Sequence, residues 1–78
     1  MIPIQQKVMV LNQKQIMGFG SVIDICTNKQ ELARYFQKSH PHYARYQVAM
    51  LNNEHVYIVG FDNDTGQGGY LKKSLRKI

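Results

Sequence analysis

Three histidines, one cysteine and five acids are the side chains of this 78-residue chain most suited to metal or acid–base chemistry. Structural zinc is held by pairs of Cys or His at regular spacing. His40-Pro41-His42 with His55 and Cys26 offers a single thiolate, and His-x-His across a proline reads as an exposed connection. No metal is expected. Asp62-Asn63-Asp64-Thr65-Gly66 is similar to the start of a calcium loop, but the positions wanting Gly and a bidentate Glu hold Gln67 and Lys73. Gly66-Gln67-Gly68-Gly69 precedes a basic stretch, where backbone amides can cradle a phosphate. A P-loop would need a further glycine where Leu71 stands, and Lys72-Lys73-Ser74 carries an extra lysine. This segment reads as a connector, and no cofactor is expected. None of the hydroxyls, nor Cys26, sits in a nucleophile context such as Gly-x-Ser-x-Gly, and among the acids only Asp62 and Asp64 are close in sequence. The expectation is a protein that is not an enzyme.

Binding chemistry is better supplied. The net charge is +5, and it is unevenly placed. Lys7, Lys14, Lys29, Arg34, Lys38 and Arg45 nearly balance Asp24, Glu31, Glu54, Asp62 and Asp64, whereas Lys72, Lys73, Arg76 and Lys77 crowd the last seven residues with no acid among them. That asymmetry points to an anionic contact at the C-terminal end. Five tyrosines, Tyr35, Tyr43, Tyr46, Tyr57 and Tyr70, are many for this length. Tyrosine suits interfaces because a rigid apolar ring carries a polar tip. Tyr43, Arg45, Tyr46, Tyr57, Lys72, Lys73, Arg76 and Lys77 are therefore the candidate partner-binding residues.

Gly18-Phe19-Gly20-Ser21-Val22 resembles part of the first ribonucleoprotein strand of RNA-recognition-motif domains, which set aromatics on an open sheet to stack bases. Val56-Tyr57-Ile58-Val59-Gly60 is loosely similar to that family's partner strand. The resemblance covers about a tenth of the chain. Met17 replaces the leading base, Ser21 and Asp24 the later aromatics, and the two strands come in the opposite order. Phe19 is expected in the core, with the neighbouring glycines relieving crowding.

The elements that must position these residues follow from period and punctuation. Lys7–Leu11 and Ile16–Cys26 read as a hairpin around Asn12-Gln13-Lys14-Gln15, with Met17, Phe19, Ile23 and Ile25 on one face. Gly18 and Gly20 fall on the other face and suggest a bulge or a close backbone neighbour. Thr27 or Asn28, with Gln30 or Glu31 three residues on, starts a helix that carries Leu32 and Phe36 inward and stops before Pro41. His42 to Arg45 adds at most a short turn. Tyr46–Leu51 and His55–Phe61 read as two more strands, Asp62–Gly69 as a loop, and Leu71, Leu75 and Ile78 recur at helical spacing in a basic tail. The expected fold is α+β: one domain over 1–78, a four-stranded antiparallel sheet in ββαββ order with one main helix on one face, then a short basic helix or strand. The expected core includes Val8, Val10, Phe19, Ile23, Leu32, Phe36, Val48, Val56 and Ile58.

Composition narrows the class further. With 44% hydrophobic and 19% charged residues the chain is globular rather than disordered. It has no apolar run near the ~20 residues that span a bilayer, and no charged start with an apolar stretch as in a signal peptide. A lone cysteine fits a reducing, cytoplasmic setting. The expected function is a non-catalytic module that occupies a protein partner's acidic or nucleic-acid-handling surface. By analogy alone this would be an inhibitor or adaptor of the small phage or mobile-element type. The alternative is a nucleic-acid-binding protein using the basic tail and an aromatic sheet face. No membrane partner is expected. So short a core, with an open sheet face and unpaired edges, also invites a homodimer.

Overall fold

The computed structural model describes all residues, Met1–Ile78. It is α+β, with a five-stranded antiparallel sheet and one main helix. The order is β1 (Lys7–Asn12), β2 (Gln15–Cys26), α1 (Lys29–Leu32), α2 (Pro41–Leu51), β3 (Val56–Phe61), β4 (Gln67–Leu71), a 3₁₀ turn (Lys72–Ser74) and β5 (Leu75–Lys77). Across the sheet the strands run β4-β3-β2-β1-β5. Three of the four expected strands stand, and Tyr46–Leu51 is helical; β4 begins inside the expected loop Asp62–Gly69, and the basic tail takes the strand alternative as β5, which makes five.

This fifth strand bends the whole sheet. Four interstrand steps of about 4.8 Å would set the edges of a flat sheet some 19 Å apart. Yet β4 and β5 are those edges, and Leu71 to Leu75 can reach at most about 14 Å, less across a 3₁₀ turn. The sheet must therefore curl into a partly closed barrel. β2 is the bent member: its first half pairs with β1 (Met9 opposite Phe19) and its second half with β3 (Val22 opposite Val59).

The bend is written in β2 by two devices. Gly20 lies where an added Cβ would meet the Gly60 carbonyl oxygen at 2.4 Å and Val59 Cγ1 at 2.8 Å. Only a residue without a side chain lets the two strands approach so closely. Ile23 is then an extra residue in the ladder, since Val22 pairs with Val59 but Asp24 with Ile58. This bulge flips the alternation, so Val22 and Cys26 point into different cores.

There are two cores, one on each face of the sheet. Inside the curl, Ile2, Val8, Val10, Val22, Tyr57, Val59 and Leu75 pack together, with Ile25, Phe61 and Tyr70 at the margin. The N-terminal segment closes one end: Gln5 N–H donates to Val22 O, Val22 N–H to Gln6 O, and Ile2 N–H to the Tyr57 hydroxyl at 3.2 Å. On the outer face, Tyr43, Tyr46 and Ala49 of α2 cover Cys26, Leu32, Val56, Ile58 and Leu71. β3 is buried on both faces because it lies between these layers.

Several sequence expectations are corrected here. Pro41 begins the main helix rather than ending one. It occupies the first turn of α2, where its fixed φ and missing N–H cost nothing. Tyr46–Leu51, expected as a strand, belongs to that helix, and Val48 is 59% exposed on its outer side. The segment after Asn28 forms a single helical turn. Asn28 Oδ1 accepts from Glu31 N–H at 2.9 Å, and the Glu31 carboxylate accepts from the N–H and hydroxyl of Thr27 at 2.8 Å each. The chain then turns so that the Tyr35 hydroxyl donates to Asp24 and the Phe36 ring, half-buried, lies over the backbone of Gly69. Phe19 and Ile23 are each 47% exposed, not core. The inner face of the hairpin belongs to the glycine side, because the tight curl leaves no room for larger residues there. Val8, Val10, Leu32, Val56 and Ile58 are buried as expected. The hairpin turns through Gln13 and Lys14, both with positive φ, as a two-residue loop between antiparallel strands favours.

Candidate functional site

The eight candidate binding residues divide by burial. Tyr43, Tyr46 and Tyr57 are core residues. The Tyr46 hydroxyl donates to Gly69 O at 2.8 Å on the edge strand β4, and burial pushes its acidity below that of a free phenol. Tyr57 is 2% exposed, and its hydroxyl oxygen accepts the Ile2 N–H. These rings hold the fold together and leave almost no surface for a partner. Arg45 is exposed on α2.

The four C-terminal bases are brought together. The 3₁₀ turn and β5 place Lys72, Lys73, Arg76 and Lys77 around one open groove of about 630 Å³, with Ile2 and Leu75 completing its lining. No carboxylate lines it, and the one ion pair of the molecule, Lys7 with Asp62, lies elsewhere. Arg76 is held rather than free-swinging: its Nη1 donates to the carbonyls of Lys73 at 3.1 Å and Leu75 at 2.8 Å. Glu54 shares a neighbouring hollow with Lys72. Four cations without a carboxylate partner along one groove attract anions.

A neighbouring feature was missed as a site from sequence. In the register, Arg76 lies opposite Met9, and Met9 opposite Phe19. Residues directly opposite share a face, so a base, a thioether and a half-exposed aromatic ring form one row across β5, β1 and β2. α2 covers β3 and β4 and leaves this part of the outer face open. The signal existed in Gly18-Phe19-Gly20, whose likeness to a base-stacking strand singles out the aromatic position; the alternation of apolar residues argued the other way.

The remaining chemical candidates are dispersed. No three His, Cys, Asp or Glu side chains come together as a metal set. Cys26 is buried, and burial followed by the nearby Asp24 and Glu31 charges pushes its thiol up to about 11. His40 caps α2, its Nδ1 accepting from His42 N–H at 3.1 Å, and both rings join Phe36 and Tyr46 in an aromatic cluster. The Tyr35–Asp24 hydrogen bond raises Tyr35 to about 12 and holds Asp24 below the usual carboxylate range. A phenol so protected is a donor, not a nucleophile. No helix is long and apolar enough to cross a membrane. Comparison with protein families, characterised proteins and solved structures finds no match to this chain.

Proposed function

We propose that this protein is a non-catalytic binding module for single-stranded nucleic acid. The observation that carries this reading is the convergence of Lys72, Lys73, Arg76 and Lys77 on one groove without a carboxylate in its lining. Phe19 supports it, since Arg76 links the groove to the open sheet row on which a base can stack. The protein-partner expectation leaned on tyrosine anchors. Tyr43, Tyr46 and Tyr57 lie in the cores, so those anchors no longer favour it. A reducing, cytoplasmic setting fits the single buried thiol.

The test is a salt titration of binding to mixed-sequence single-stranded DNA and RNA. Each neutralised phosphate on a single strand contributes about −0.7 to the log–log slope. The double variant Lys72→Ala/Lys73→Ala should reduce the slope by about one to two units and weaken all sequences alike. Phe19→Ala should cost about 1–3 kcal/mol of affinity with the slope unchanged, as loss of one stacked base does. No binding at micromolar concentration and physiological salt would overturn the proposal. So would binding indifferent to salt. A protein partner whose association, rather than dissociation, slows with the double-lysine change would replace it.

A further inference from the structure

On the other side of the 3₁₀ turn lies a second cleft, of about 340 Å³, between the tip of the β1–β2 hairpin, β4 and the start of α2. Its lining mixes apolar and polar groups: Met17 and Leu11 with Asn12, His42, Arg45 and Ser74. Tyr46, the side of Tyr70 and the backbone of Gly68 and Gly69 complete it. No carboxylate is present, so the cleft favours an anion as the basic groove does. Unlike the groove it also offers amide, hydroxyl and imidazole groups beside apolar walls, the mixture that fixes the orientation of a small ligand. The volume is within the range of small-ligand sites, which begins at about 300 Å³.

The fold explains why these groups meet. The curl of the sheet carries the hairpin tip round towards β4, and Pro41 starts α2 just where His42 and Arg45 come to face it. On β4 the Tyr70 and Phe36 rings lie against Gly68 and Gly69, so the strand offers the cleft its backbone and the side of Tyr70. Burial keeps the Tyr70 phenol protonated well above neutral pH, so it remains available as a hydrogen-bond donor. The main-chain N–H of His42 is already taken by His40, so the anion would rest on side chains rather than on the helix end.

We propose that this cleft is a pocket for one nucleotide, with the base against Met17 and Leu11 and its phosphate on Arg45 and His42. The inference rests on the nucleic-acid reading above and deepens it: Ser74 ends the same turn whose Lys72 and Lys73 line the groove, so one strand can occupy both. The groove would supply sequence-independent affinity and the cleft a base preference.

The experiment is a heteronuclear NMR titration of the whole protein with each of the four ribonucleoside monophosphates, with inorganic phosphate, and with a short mixed-sequence oligonucleotide. Nucleoside monophosphates should shift Gly68, Gly69, Ser74 and Arg45 saturably and unequally among the four bases. Arg45 is exposed, so Arg45→Ala should fold normally and weaken mononucleotide binding at least about tenfold, the effect of removing one charged hydrogen bond to the phosphate. Arg34→Ala, the same charge change elsewhere, should leave it unaltered. Inorganic phosphate binding as tightly as the nucleotides would overturn the pocket as a nucleotide site. An oligonucleotide that shifts Lys72–Lys77 but none of the cleft residues would end this inference and leave the strand-binding function standing. Mononucleotide binding without any oligonucleotide binding would support the pocket and overturn the strand-binding function instead.

Discussion

Asp24 and Tyr35 carry the most informative titration in the molecule. The Tyr35 hydroxyl is the main cause holding Asp24 below its ordinary range, with the Ile25 N–H adding to it and desolvation opposing. A depressed carboxyl stabilises the fold above its unfolded value of about 3.9, and that stability is lost as pH falls through the lower folded value. Tyr35 behaves in the opposite sense. Raised from 10.0 to about 12, it contributes stability that is full below about 10 and disappears as pH climbs towards 12. Thermal unfolding followed across pH should therefore show an acid limb and an alkaline limb, and Tyr35→Phe should flatten both. Equal pH profiles for the two proteins would refute the linkage. At Gly20 the constraint is steric. An added methyl meets the Gly60 carbonyl and Val59, neither of which can swing aside, whereas at Gly18 it meets only the Phe61 ring at 3.2 Å. Gly20→Ala should cost about 1–3 kcal/mol or more by overpacking, and Gly18→Ala clearly less, in urea denaturation.

Among the elements, α2 is the one whose attachment can be tested with a single atom. The Tyr46 hydroxyl joins the helix to Gly69 on β4, and it occupies an outward-pointing carbonyl of an edge strand. Tyr46→Phe keeps the ring and deletes that bond, so it should lower stability by about 0.5–1.5 kcal/mol. Tyr46→Ala empties the site in the outer core and should cost about 3–5 kcal/mol, as large-to-small aromatic changes do. Equal losses for the two variants would show that the hydroxyl, not the packing, holds the helix.

For the whole molecule, the curl has a consequence for association. β5 is only three residues long, with Arg76 and Lys77 on it, and the β4 edge has a carbonyl occupied by Tyr46. Short, charged or covered edges resist pairing with another copy. The half-exposed Phe19 row remains, but it is flanked by Lys7 and Arg76, which would meet their own kind in a symmetric contact. Light scattering at micromolar concentration should give a mass near 9.0 kDa rather than twice that. A clean dimer would identify the Phe19 face as a self-interface and remove it as a stacking platform.

Features set by near neighbours were legible from residue order alone. The β1–β2 hairpin, the strand at β3 and the Asn28–Glu31 cap all depend on neighbours within a few residues, and so does the crowding of cations after Leu71. Five of the nine expected core residues are buried: Val8, Val10, Val56 and Ile58 followed from alternation along strands, and Leu32 from helical spacing. Which side of β2 lies inside follows from the curl of the whole sheet. Alternation identifies two faces but not which is concave, and a tightly curled sheet gives the concave side to glycine. Tertiary structure also decided the helix. Pro41 can end one or begin one, and the choice was made by Tyr43, Tyr46 and Ala49, which recur three apart and find an apolar sheet face to cover. The site was divided in the same way. Charge is additive along a chain, so the basic end was legible from residue types, but a groove requires the 3₁₀ turn and β5 to bring those cations to one place. Whether a tyrosine anchors a core or a partner depends on what lies opposite it, and only the folded sheet supplies that.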